Sequence, residues 1–222
     1  MNSPALAAVS DAPLAKLVLF SRKPELWVLV LLIAFFNVPL LTGSLTHSMI
    51  FLPAAVRDGE WWRLLTHPFV HVTWYHLLLD GVAFLALYGG LLERSLWRRL
   101  VVMTAAGAGS ALSAYAAAPA VSTGGLCGLS GVAHGLMVFS AWELITHPAL
   151  PLRERRLGWL CFILVVGKGA LEAWNGRMFF TFLHFGLMGD PIAVSHAGGI
   201  MGGLIASLFF QPSQTRMSPS EP

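Results

Sequence analysis

Long apolar stretches alternate with short polar ones along this chain. Six runs almost free of charge stand between turn or charged residues, at about 26–45, 71–92, 97–118, 128–146, 157–175 and 192–210. Each holds roughly the 20 residues that a helix needs to cross a hydrocarbon core. The third run is rich in Ala, Gly and Ser; alone it would insert weakly, but small residues let neighbouring backbones approach closely, so it belongs inside a bundle. The pattern predicts an all-α integral membrane protein with six transmembrane helices. Three parts follow: residues 1–24 as a cytoplasmic tail, 25–211 as the helical domain, and 212–222 as a polar, Pro-rich, disordered tail. The first segment, broken by Pro4, Asp11 and Pro13, lacks a basic start, an apolar block and a small-residue cleavage site, and is expected to be retained.

Composition strengthens this reading. Of 222 residues, 56% are hydrophobic and only 11% charged, too few charges to cover an aqueous globule. The formal charge of +3 does not point to nucleic acid, because the 14 basic residues fall in small clusters between apolar runs. Ten of them (Lys16, Arg22, Lys23, Arg94, Arg98, Arg99, Arg153, Arg155, Arg156 and Arg216) lie on one side if six helices alternate, against Arg57, Arg63 and Arg177 on the other. By the positive-inside rule both termini are then cytoplasmic. The loop 46–70, the Gly-rich segment 119–127 and the connection 176–191 surround the opposite mouth. Two cysteines, Cys127 and Cys161, supply neither a disulfide framework nor a paired metal motif.

Polar residues inside apolar spans are costly in lipid and mark candidate chemistry. Gly128-Leu129-Ser130-Gly131 opens the fourth run: a serine flanked by glycines leaves room for a substrate carbonyl, although small residues in membrane helices also serve packing alone. His196, in Ser195-His196-Ala197-Gly198-Gly199, is expected at matching depth, and a neutral imidazole suits removal of a serine proton. Glycines at 131, 135, 198, 199, 202 and 203 would let these helices close; the other reading is glycine packing with a satisfied polar histidine. His76 and Asp80 share a helix face, His76 as a donor to an oxyanion and Asp80 orienting it. Two ligands at four-residue spacing, without HExxH or clustered cysteines, argue against a metal site. Lys168 and Glu172, one turn apart, read as an intramembrane ion pair, His134 as a packed histidine bonded to another helix, and Glu143 as reaching water. Cys127 reads as a small packing residue.

Trp62-Arg63 before the His-rich entry to the second run, Gly128-Leu129-Ser130-Gly131, and His196-Ala197-Gly198-Gly199-Ile200-Met201-Gly202-Gly203 together resemble the rhomboid intramembrane serine proteases, in order and spacing, over nearly the whole chain. The longer strings CGLSGVAHGL and PIAVSHAGG are most similar to the bacterial rhombosortase branch, associated with substrates bearing a C-terminal Gly-Gly motif, an apolar helix and a basic end.

The resemblance implies a six-helix rhomboid-like bundle in which Ser130 is the nucleophile and His196 its base, a dyad without a carboxylate. The Ser130 backbone N–H and the His76 side chain hold the oxyanion beside Gly128. Asp80 stands where rhomboids usually carry asparagine. An ionised carboxylate repels an oxyanion, a protonated one donates to it, and one that accepts from His76 strengthens that donor. The resemblance further implies a bacterial inner-membrane protease cleaving in or near the C-terminal transmembrane anchor of exported proteins, with no cofactor and no metal. The alternative is a pseudoprotease that binds and escorts transmembrane helices. His67, His71, Thr73 and Ser122–Gly125 are expected to hold water at the mouth. The aromatics near 176–191 (Trp174, Phe179, Phe180, Phe182, Phe185) serve as interfacial anchors or as a lid.

Overall fold

A computed structural model of the chain describes residues 23–179, 186 and 192–210. Both expected tails, apart from Lys23 and Pro24, and the aromatics Phe180, Phe182 and Phe185 lie outside the described residues. The described residues are helical throughout, with one isolated bridge between Phe51 and Leu126. Six long helices correspond to the six apolar runs: α1 (Glu25–Phe36), α2 (Trp74–Gly90), α3 (Leu96–Ala117), α4 (Ser130–Thr146), α5 (Leu152–Asn175) and α6 (Val194–Phe209).

Local chemistry sets several of these boundaries. The Thr73 hydroxyl accepts the His76 N–H at the start of α2, and Ser95 caps α3 in the same way. Gly176, at φ 64°, takes the left-handed position that closes α5. At the far end of α2 the Lys23 ammonium donates to the carbonyls of Tyr88, Gly89 and Leu91 at 3.0, 2.9 and 2.8 Å, pairing a cation with the negative end of the helix.

The expectation of six spans needs correction. Three segments are each long and apolar enough to cross a membrane: Glu25–Thr42, Leu96–Ala117 and Leu152–Asn175. A fourth is a broken span, Arg63–Phe69 followed by α2, bent by 99°. Six spans are therefore not seen among the described residues. The shortfall is one of length: 17 residues in α4 and 16 in α6 rise about 26 and 24 Å, less than the roughly 30 Å of a hydrocarbon core. These two helices also lie deepest. α6 packs on α3, α4 and α5, and α4 on α2, α3, α5 and α6.

Apolar side chains fill the core and also cover much of the exterior. Large apolar side chains such as Leu31, Phe35, Leu112, Ile163 and Leu208 point outward, whereas α4 presents none of this kind to the exterior. The interior holds Asn37, Arg63, His67, His71, His76, Asp80, Arg99, His134, Glu172, Ser195 and His196, all buried. Such an arrangement suits lipid outside and partnered polar groups inside.

The segment between α1 and α2 is tied together by Arg63. Its guanidinium donates to the carbonyls of His47 and Ile50 at 2.7 and 2.8 Å and to Glu60 at 2.6 Å. Trp62 and Thr66 add bonds to the carbonyls of Ser48 and Met49, and the Phe51–Leu126 bridge fastens the segment to the strand of chain that leads into Ser130. Arg63→Met leaves two carbonyls without their charged donor. It is expected to cost about 2–3 kcal/mol, read as faster amide exchange at Phe51 and Leu126; unchanged exchange would sink this assignment.

Candidate active site

Two glycine faces bring the candidate residues together. A Cβ built on Gly199 would overlap the Gly131 carbonyl, one on Gly203 the Gly135 carbonyl, and one on Gly131 would stand 3.2 Å from the Ser195 carbonyl oxygen. The axes of α4 and α6 thus meet backbone to backbone at the turn that carries Ser130 on one helix and His196 on the other. Ser130 is half-buried at the start of α4, and His196 is buried.

Beyond them runs a hydrogen-bonded chain of side chains. His134 Nδ1 lies 2.7 Å from the Ser130 carbonyl oxygen, so it carries the proton and donates. Its Nε2 is then the acceptor for Lys168 Nζ at 3.0 Å. Lys168 also pairs with Glu172 at 2.8 Å. The other contacts of Glu172 reach further: Oε1 accepts the Phe179 N–H at 2.9 Å, and Oε2 accepts His196 Nδ1–H at 2.8 Å. The His196 ring stacks on that of His134, with centroids 4.0 Å apart and planes 12° from parallel. With Nδ1–H given to a carboxylate, the lone pair of His196 sits on Nε2, the tautomer that a general base requires.

The sequence reading pairs Lys168 with Glu172 and bonds His134 to another helix, and both contacts are present. It did not anticipate that Glu172 reaches His196. A buried glutamate with one lysine partner retains spare acceptor capacity, which is the only signal the sequence offered. Ligand-type atoms of His134, Glu172 and His196 lie within 4.8 Å of one another, a separation a divalent cation can use. The chemistry of the set does not favour one: the Lys168 ammonium already stands on the His134 and Glu172 atoms, and a second cation there would be repelled.

A second cluster lies on the other side of Ser130. His76 Nδ1 accepts from the Val72 N–H at 3.5 Å, which leaves its proton on Nε2, 3.1 Å from Asp80 Oδ2. The same carboxylate oxygen accepts the Ser130 backbone N–H at 3.0 Å. Both donors expected to face an oxyanion therefore converge on one oxygen atom of Asp80. Gly128 closes the wall of this site. It has φ of 102°, and a Cβ there would lie 2.8 Å from His76 Nε2 and 2.9 Å from Asp80 Oδ2, so both conformation and space require glycine. The hydrogen bonds described at Ser130 run through its backbone, and among the described residues none joins its hydroxyl to His196. Catalytic pairs commonly tighten only around substrate.

The remaining candidates sort by their contacts. His67 Nδ1 lies 3.1 Å from the Arg63 carbonyl and supports the loop. His71 is fully buried with neither ring nitrogen hydrogen-bonded, its Nε2 3.7 Å from Asp80 Oδ2. Burial, and then the nearby Asp80 charge, push the Cys127 thiol up to about 12, which makes it a poor nucleophile. Glu143, expected to reach water, is half-buried; its carboxylate accepts the N–H groups of Leu92 and Glu93 and holds the turn between α2 and α3. Trp174 is 87% exposed at the end of α5, as an interfacial anchor would be.

No curated protein and no solved structure matches the chain. Residues 58–213 match the Rhomboid domain, a stretch that runs from the Arg63 loop through Ser130 and past His196. On that match, over more than half of its length, this multi-pass membrane protein belongs to the rhomboid family.

Proposed function

We propose that the protein is an intramembrane serine protease in which Ser130 attacks the scissile carbonyl and His196 takes its proton. The rhomboid family consists mainly of intramembrane serine proteases acting on transmembrane substrates, with pseudoproteases among its members. The observation that carries the proposal is the His196 tautomer: Nδ1–H is held by Glu172 and the lone pair is left on Nε2, on a helix packed backbone to backbone against the one that begins with Ser130. Attack forms a tetrahedral oxyanion and moves the hydroxyl proton to Nε2, and collapse of that oxyanion leaves the acyl-enzyme. Breakage of the C–N bond returns that proton to the leaving amine, and water reverses the sequence to free Ser130. The oxyanion is held by the Ser130 N–H and His76 Nε2–H, the two donors that converge on Asp80 in the resting site. The charge distribution supports an orientation in which both termini are cytoplasmic. The motif strings support the rhombosortase branch and anchors with a Gly-Gly motif as substrates, because glycine eases the unwinding that hydrolysis needs.

One observation favours a second reading. The Asp80 carboxylate accepts from both donors proposed for the oxyanion, as it would in a helix-binding escort that never turns over. Labelling of the purified protein by a fluorophosphonate, followed by cleavage of an apolar helix preceded by Gly-Gly, separates the two: the protease yields a shortened product, and the escort yields none. Asp80→Asn removes the competing charge and supplies a further donor. It is expected to speed fluorophosphonate labelling by about tenfold, and slower labelling would show instead that the carboxylate assists.

A further inference from the structure

The cross-helix contact of Glu172 has a catalytic consequence. We infer that Glu172 is a positioning residue for the His196 base, so that this rhomboid works with a Ser130–His196–Glu172 relay rather than with a serine and a histidine alone. The inference rests on the reading of Ser130 and His196 as nucleophile and base.

Three features support it. First, Glu172 is fully buried, and every contact described for it fixes the carboxylate: Lys168 at 2.8 Å, the Phe179 N–H at 2.9 Å and His196 Nδ1 at 2.8 Å. A helical ion pair one turn apart needs only the lysine; two further donors from elsewhere are what an oriented anion needs. Second, a carboxylate on Nδ1 selects the tautomer whose Nε2 accepts the serine proton, and stabilises the imidazolium formed as that proton arrives. The carboxylate keeps its charge throughout: the proton moves from Ser130 Oγ to His196 Nε2, then to the leaving nitrogen, and the Nδ1–H stays with histidine. Third, stacking on His134 fixes the plane of the ring but not its rotation within that plane. The Glu172 bond supplies that remaining constraint.

The charged and titratable groups that face His196 among the described residues are few. They are His134 on α4, Lys168 and Glu172 on α5, and Asp80 on α2, whose charge acts on it through space. The sign of their effect is set by Coulomb's law. Removing the Glu172 charge leaves the Lys168 ammonium unbalanced beside His196, so the imidazolium is disfavoured twice over and the acid limb of the rate profile moves to lower pH. Removing the Lys168 charge does the opposite.

The test uses the full-length protein in detergent, with a fluorophosphonate as probe and its inactivation rate followed from pH 5 to 9. Glu172→Gln is expected to slow maximal inactivation about 100-fold while leaving the half-saturating probe concentration within roughly threefold, and to move the acid limb down. Glu172→Asp keeps a carboxylate and is expected to recover about tenfold of that loss. Lys168→Met is expected to move the limb upward, and it carries the test should Glu172→Gln fail to fold. An acid limb unmoved in Glu172→Gln, or in Lys168→Met where that variant stands in for it, overturns the positioning role while the protease reading stands. A folded wild type that neither reacts with the probe nor cleaves a helix overturns the protease reading, and this one with it.

Discussion

Alanine at position 130 is expected to reduce cleavage of a transmembrane substrate by about 10⁴- to 10⁶-fold, to the background of the membrane itself. The loss follows from chemistry rather than folding. The N–H of residue 130 would still donate to Asp80 and its carbonyl would still accept from His134, because both bonds belong to the backbone. Thermal stability is therefore expected to stay within about 0.5 kcal/mol of the wild type. Following substrate cleavage and covalent labelling by gel, with thermal unfolding measured in parallel, checks both halves. Residual wild-type turnover in this variant would remove Ser130 from the mechanism. A variant that still binds an apolar helix at wild-type affinity but yields no fragment would show that binding and chemistry are separable.

Valine at position 199 should be nearly as damaging, by a different route. The first atom of its side chain would overlap the Gly131 carbonyl, with the Gly131 carbonyl carbon and Cα next in line. All three belong to helix backbone, so no rotamer change relieves the clash and α4 must move away from α6. Overpacking of this kind costs about 3 kcal/mol, and here the displaced helices carry Ser130 and His196, the proposed nucleophile and base. Activity is expected to fall by at least about 100-fold, since a misplacement near 1 Å is enough for such a loss. Gly90→Ala makes a suitable control, because no atom lies within 4 Å of a Cβ built there. Full activity in Gly199→Val would mean that the helix crossing does not set the reacting distance.

Much of the architecture was legible because lipid imposes a coarse and strict rule. Apolar runs near 97–118 and 192–210 differ by only a residue or two from Leu96–Ala117 and Val194–Phe209. The second run starts at His71, but the helix begins at Trp74 behind a 99° bend, since Thr73 caps it and the residues before it serve the loop. The fourth run ends with α4 at Thr146 but opens at Gly128, two residues before the helix begins at Ser130. The close approach of α4 to α6 is readable from glycine spacing, as the contacts of Gly199 and Gly203 with the Gly131 and Gly135 carbonyls show. The pairing of Glu172 with His196 is not, because the obvious partner, Lys168, sits one turn away and satisfies the local pattern. Asp80 was recognised as unusual, and the structure adds which donors it accepts from, a matter of depth and rotation that one helix cannot specify alone.

The enclosure of α4 also bears on how the chain enters a membrane. A nascent chain ending after Thr146 would hold His134 without Lys168, and Gly131 and Gly135 without the glycines of α6. Such a helix would carry a histidine without its partner and an unfilled glycine face in lipid. Its partners arrive only with α5 and α6, so biogenesis of this protein is expected to end with a concerted step in which the last three helices dock together and Ser130 and His196 come onto facing helices for the first time.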